Sequence, residues 1–313
     1  MELRELGWPG RLVKSVGRRI KRLVFMGQRS THLFRPVNFT KPDASPEALA
    51  RDIDYALQVG RNYCRQLAPC FPLGGKTILE IGPGINFGSI LFLAGHGAIP
   101  TVADFFLSPW DADYHPAFYR GFHHRLRLDH PELDLRPLEA ILDAGDYPAD
   151  VLRREKKSLE STDLPTDSID ITISNAVFEH LFDHAKAFEQ LFRITKPGGS
   201  GFHQVDFRFH PSFERPLEHL LLPAWRIEDL VRAADHEWGT LLRPYEMVAL
   251  IGQVGFEDVK FSANSWAEPE YFREFLARLR KQRRSRYRRT AEEDLRPISG
   301  LLLVRKPRPN GRG

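Results

Sequence analysis

The sequence predicts an α/β protein in which a doubly wound, mostly parallel sheet follows a basic helical arm. Three observations predict it. Beyond residue 71, short apolar runs alternate with stretches of helical periodicity, which is the pattern of a parallel sheet covered on both faces. The first run ends in a carboxylate and a glycine-rich turn, "ILEIGPGINFGSI" at residues 78–90, as a strand entering a ligand loop and then a helix would. The composition is that of a globular chain of 313 residues, with 42% hydrophobic and 27% charged residues.

The elements follow in order. From Arg11 to Val24, the apolar residues Leu12, Val13, Val16, Ile20, Leu23 and Val24 share one helical face, with Arg and Lys around the other. Such a helix can lie on an anionic bilayer or pack on the body with its charges solvated. Residues 1–30 carry eight Lys/Arg against two Glu, and 273–289 carry nine against one. The remainder of a chain of net charge +4 is therefore −10. A helix is expected near 47–67, with Ser45 as its cap and Pro46 at its first position. Residues 1–70 are read as the extension and 71–313 as the main domain, with insertions at about 105–160 and 206–242.

Strands are expected at 77–81, 99–103, 169–174, 200–205, 259–263 and 300–305, and helices at 87–96, 183–194, 245–253 and 270–289. A capping box from Thr290 to Glu293 would start one more short helix. The insertion 105–160 is too long for a bare loop and is expected to be helical. Its rings (Trp110, Tyr114, Phe118, Tyr119 and Phe122) suit either a stacking lid or the core of an added layer. No apolar run is long enough for a membrane span, the N-terminus lacks a secretory pattern, and Cys64 and Cys70 fit neither a zinc site nor a disulfide framework. A cytoplasmic protein, with a possible peripheral place at the inner membrane face, is the expectation.

The loop does not fit a dinucleotide. G-x-G-x-x-G from Gly82 and Gly84 requires glycine at 87, where Phe87 stands. Asp104, closing "VAD", can accept hydrogen bonds from both hydroxyls of a ribose. A nucleoside without its pyrophosphate is implied.

"ILEIGPGINFGSI", "VAD", "DLPTDSIDITISNAVFEHL" and "LFRITKPGGSGFHQVDF" resemble, in order, the motifs of class I S-adenosylmethionine-dependent methyltransferases of the methyltransferase type 11 group. The resemblance covers about residues 74–205, and "GFEDVKF…SGLLLVRKP" is similar to the group's closing antiparallel pair. It implies a seven-stranded, Rossmann-like sheet and S-adenosylmethionine as cofactor. It also implies roles: Glu80, Gly82 and Gly84 at the methionine portion, Asp104 on the ribose, Glu160 and Ser161 by the adenine amino group, and Asn175 facing the methionine side. The group's third glycine falls at Asn86, a residue type that tolerates positive φ.

For the acceptor, Asp206 and His210 lie just past a strand's carboxyl end, and His180 follows the fourth strand, so these three are the catalytic candidates. His203 and Asp206 fall on opposite faces of their strand. His180 and His184, four apart, lack a third ligand, so no metal is expected. "SNAV" replaces the N-P-P-[YF] signature and argues against adenine-N6 or glutamine targets. The acceptor expected is a hydroxyl of a small molecule, saccharide or glycolipid. One alternative is RNA held by the basic stretch 278–289, which otherwise is a solvated face. The other is a binding module without turnover.

Overall fold

The computed structural model describes residues 41–67, 72–223, 225–226 and 239–308. The amphipathic stretch 11–24, Cys70 and part of the 206–242 insertion lie outside the described residues.

The elements run α1 (Pro46–Leu67), β1 (Thr77–Ile81), α2 (Gly88–Gly95), β2 (Ile99–Ala103), α3 (Tyr114–Asp129), α4 (Arg136–Ala144), β3 (Arg153–Glu155) and β4 (Ile169–Asn175). They continue with α5 (His184–Ile194), β5 (Thr195–Asp206), α6 (Pro244–Gln253), β6 (Glu257–Trp266), α7 (Pro269–Leu279), α8 (Glu292–Leu295) and β7 (Pro297–Arg305). Among the described residues seven strands form one sheet in the order β3-β2-β1-β4-β5-β7-β6. The first five pair in parallel, while β7 runs antiparallel between β5 and β6. The order reverses between β1 and β4, and ligands of open parallel sheets bind at that crevice.

Alternation along the strands divides the core. Ile78, Val102, Ile171 and Ile173 join the cluster made with α1 to α4. Leu79, Ile81 and Ala103 join the one made with α5 and α6. A third cluster links Leu217, Leu220 and Leu221 to Phe272, Phe275 and Leu279 of α7, Tyr287 and Leu295. Beneath it the fully buried Arg243 donates to the carbonyls of Phe207, Leu295 and Pro297. Burial lowers its guanidinium to about 10, and the acidic groups around it counter that only in part.

Several expectations change. Helix α1 starts at Pro46 with Ser45 Oγ accepting from the Ala48 amide, as the cap predicted. It belongs with the sheet, however, not with an extension ending at residue 70: Ile53, Ala56, Leu57, Tyr63 and Leu67 lie in the first core cluster. The contact is close, because a Cβ on Gly60 would stand 2.8 Å from Phe92. β3 was not expected inside the 105–160 insertion. Its residues Arg153, Arg154 and Glu155 have no apolar pattern, and pairing with Thr101, Val102 and Ala103 makes it a strand.

The helix expected over 270–289 stops at Leu279. Beyond it, Arg280 bonds the carbonyls of Arg288 and Thr290, Arg288 bonds that of Arg280, and Arg286 pairs with Glu246. These cross-links hold turns in place of helix. Arg278 pairs with Glu218, so half of the basic stretch serves structure, while Lys281, Arg283, Arg284 and Arg289 are exposed. The last short helix is capped at Ala291, not by the Thr290 box. The aromatic insertion is core: Tyr114, Phe118, Tyr119 and Phe122 are buried against α1 and α2.

Candidate active site

The site grows from the carboxyl ends of β1, β2, β4 and β5. Glu80 shares a face of β1 with Ile78, so its carboxylate enters the core beside α1 and α2. There it accepts from Tyr63 Oη at 3.2 Å and from Ser89 Oγ at 2.7 Å and 2.9 Å. Burial raises its carboxyl to about 7, against the pull of those donors. Gly82 and Gly84 carry the turn at φ +65° and +73°. A Cβ on Gly82 would meet Val177 Cγ2 at 2.4 Å, whereas one on Gly84 would point into open space. The two glycines thus differ: one fits the loop against the end of β4, the other leaves room for a ligand.

The departure at residue 86 resolves differently from expectation. Positive φ falls on Phe87 (φ 54°), not on Asn86. Phe87, fully buried, precedes α2 in the left-handed conformation. Asn86 stabilises that path instead, its Oδ1 accepting from the Gly88 amide at 3.0 Å and its Nδ2 donating to Tyr114 Oη at 3.2 Å. Its side chain is committed to shaping the loop, so contact with the cofactor is not its evident role.

Asp104 directly follows β2, with Oδ1 accepting from the Phe106 amide at 2.7 Å, and burial raises its carboxyl above the usual range. Phe105, 53% exposed, sets an apolar ring beside it. Sequence reasoning missed that ring, although its place directly after the ribose candidate was a usable signal. Glu160, on the 3-10 turn Leu159–Ser161, accepts the Phe182 amide at 2.9 Å through Oε1. Its Oε2 is buried without a hydrogen-bond partner among the described residues, an acceptor left over for a ligand N–H. Ser161 is exposed and bonds Ser158 Oγ. Asn175, at the end of β4, donates from Nδ2 to Tyr55 Oη at 2.8 Å. Tyr55 and Tyr63 therefore bring α1 into the site, a contribution hidden while that helix is counted outside the domain.

The open space off Gly84, the spare acceptor on Glu160 and the carboxylate of Asp104 fit S-adenosylmethionine: a methionine portion, an adenine amino group and a ribose. Glu80 is taken up by Tyr63 and Ser89, so it braces the loop from behind.

The acceptor candidates do come together. His180 lies on the 3-10 turn Phe178–His180, and its ring centroid is 4.9 Å from that of His210. Asp206 Oδ2 is 3.9 Å from His210 Nε2, and Arg208 donates to both oxygens of the same carboxylate through Nε and to Oδ2 through Nη2. Beside them Glu179, 1% exposed, has no hydrogen-bond partner for either oxygen among the described residues. Burial drives its carboxyl well above the usual range; the amides of Glu179 and Asp206 face it outside hydrogen-bonding geometry and offset this only in part. His203 turns away, as the strand parity required. It stacks on Phe178 at 4.2 Å and bonds Ser174 Oγ and Thr172 Oγ1, and burial lowers its imidazole to about 3. His184 bonds the Phe178 carbonyl at 2.9 Å, and Asp183 caps α5 through the Lys186 amide.

Residues 138–202 match the model of the methyltransferase domain family, a segment that holds Glu160, Asn175, Glu179 and His180 but not the glycine loop. No curated protein matches the chain. Similar solved structures include phosphoethanolamine N-methyltransferase 2 of Haemonchus contortus in complex with S-adenosyl-L-methionine. It is 14% identical with a TM-score of 0.46, over 82% of this chain and 53% of that one. The chain thus spans about half the length of that structure. A putative sarcosine dimethylglycine methyltransferase of Galdieria sulphuraria is 16% identical (TM-score 0.44, covering 83% and 87%). An S-adenosylmethionine-dependent methyltransferase of Mesorhizobium loti is 18% identical (TM-score 0.41, 76% and 94%). Residues 138–202 thus match the methyltransferase domain family, and the sheet order with its antiparallel β7 is that of the Rossmann-like class I methyltransferase fold.

Proposed function

We propose that this chain transfers a methyl group from S-adenosylmethionine to a hydroxyl of a small molecule or saccharide. The observation that carries the reading is the meeting of His180, His210 and Asp206 at the carboxyl ends of β4 and β5, next to the loop that fits the cofactor. S-adenosylmethionine supplies an electrophilic methyl group on a sulfonium, so the protein's part is to bind and align. Gly84 leaves space for the methionine portion, Asp104 accepts from the ribose hydroxyls and Glu160 Oε2 accepts from the adenine amino group. A hydroxyl placed against the cluster gives its proton to an imidazole nitrogen of His180 or His210, and Asp206 Oδ2 stabilises the resulting charge on His210.

The basic arm and acidic body support a membrane-proximal acceptor such as a glycolipid, with the protein at the cytoplasmic face. Equal binding to anionic liposomes with and without residues 1–30 would remove that support. The enzyme reading is tested by calorimetric titration with S-adenosylhomocysteine beside an Asp104→Ala control, followed by methyl transfer to saccharides and glycolipids. Saturable binding weakened by the substitution is expected. Failure of folded protein to bind would leave a methyltransferase fold acting as a binding module.

A further inference from the structure

The acceptor cluster has a second property. Glu179, His180 and His210 each offer one ligand atom, and these atoms lie within 4.8 Å of one another, the one such group among the described residues. The sequence paired His180 with His184, but His184 faces the Phe178 carbonyl and His210 takes its place across 30 residues of chain. Independently of this grouping, the Glu179 carboxylate is almost wholly buried and neither of its oxygens has a hydrogen-bond partner among the described residues. A buried carboxylate in that state is costly without a cation or a proton to neutralise it.

We propose that Glu179, His180 and His210 bind a divalent first-row transition cation such as Zn²⁺ or Co²⁺. Two imidazole nitrogens and one carboxylate oxygen suit these ions better than Mg²⁺ or Ca²⁺, which take oxygen ligands. Ligand bonds of about 2.0–2.2 Å place neighbouring donors roughly 3–3.5 Å apart. The observed spread therefore closes by side-chain shifts on the order of 1 Å. Asp206 stands beside the ion as a further carboxylate, held by Arg208. Three protein ligands leave a coordination position open, as catalytic sites do. On the acceptor reading, on which this last role rests, a hydroxyl bound there becomes more acidic. With the ion bound, His180 and His210 act as ligands in place of the base role they have without it; the hydroxyl proton leaves to solvent, and the oxygen bonds the methyl group as the sulfonium bond breaks.

The test uses the full chain, treated with a chelator and titrated with Co²⁺ in the absence of cofactor, reading the visible absorption of the bound ion. The same preparation is titrated separately with S-adenosylhomocysteine. One saturable equivalent of Co²⁺ is expected, weakened at least tenfold by His180→Ala, His210→Ala and the near-isosteric Glu179→Gln, and unchanged by His184→Ala. Circular dichroism establishes that each variant is folded. Absence of saturable Co²⁺ binding by folded wild-type protein overturns the proposal, as does binding that survives His210→Ala. Binding of S-adenosylhomocysteine without Co²⁺ binding overturns the cation site alone. Binding of Co²⁺ without S-adenosylhomocysteine supports the site while removing the cofactor reading.

Discussion

Replacing Gly82 by alanine separates the two jobs of the glycine loop. At φ +65° an alanine costs about 1–2 kcal/mol in backbone conformation alone. Its Cβ would also stand 2.4 Å from Val177 Cγ2 and 3.4 Å from Val177 Cβ, and the branched side chain has few rotamers to escape into. Overpacking of this kind adds about 1–3 kcal/mol, so Gly82→Ala should destabilise by roughly 2–5 kcal/mol. Gly84→Ala has the same conformational cost at φ +73° but no clash, so its loss should stay near 1–2 kcal/mol. Its methyl group instead projects into the space assigned to the methionine portion, so it should weaken cofactor binding more than its small stability loss suggests.

Urea unfolding of the two variants, of Val177→Ala and of the Gly82→Ala/Val177→Ala double variant measures the steric part. The double variant should recover about 1–3 kcal/mol relative to the sum of the single ones. Equal destabilisation by Gly82→Ala and Gly84→Ala, or simple additivity in the cycle, would refute the contact between the loop and the end of β4 as the source of the cost.

Asp104→Ala should weaken S-adenosylhomocysteine about 10- to 150-fold, the equivalent of losing charged hydrogen bonds worth about 1.5–3 kcal/mol, by calorimetry. Glu80 has its carboxyl raised from 4.5 to about 7 by burial, so the folded state favours the proton and stability falls as pH climbs from 4.5 towards 7; the melting temperature of Glu80→Gln should decline less across that interval. His203 gives the opposite sign: its imidazole is lowered from 6.5 to about 3, its contribution is complete above 6.5 and is lost as pH falls through that range, and His203→Gln should flatten the acid limb. Arg243→Ala strands three buried carbonyls and should cost about 3–5 kcal/mol in urea unfolding, with Arg243→Lys intermediate.

Much of this architecture is legible in the sequence because apolar periodicity and burial coincide there. The runs at 77–81 and 99–103 are strands to the residue, and the ligand-facing ends of β1, β2 and β4 follow from them. What escapes is set by partners distant in the chain. β3 consists of charged residues and exists only through pairing with β2. Phe87 adopts positive φ because the core buries its ring and Asn86 anchors the following amide, a price that local propensity assigns to Asn or Gly. Tyr55 and Tyr63 reach Asn175 and Glu80 across 120 and 17 residues of chain, which no local pattern encodes. His180 and His210 meet only because their two strands are neighbours, and parity along β5 could exclude His203 but could not choose between His184 and His210.

The two outer strands of the sheet have a further consequence. An open sheet ends in rows of unpaired peptide groups that can recruit strands from other molecules. Here one rim is β3, three residues long and wholly charged. The other is β6, whose pairing with β7 slips at Glu257–Lys260, Ala263–Ser265 and Ser265–Trp266. A short charged rim and a kinked one are poor templates for cross-β growth, so the sheet carries its own protection against aggregation at both margins while its middle strands stay free to shape the ligand crevice.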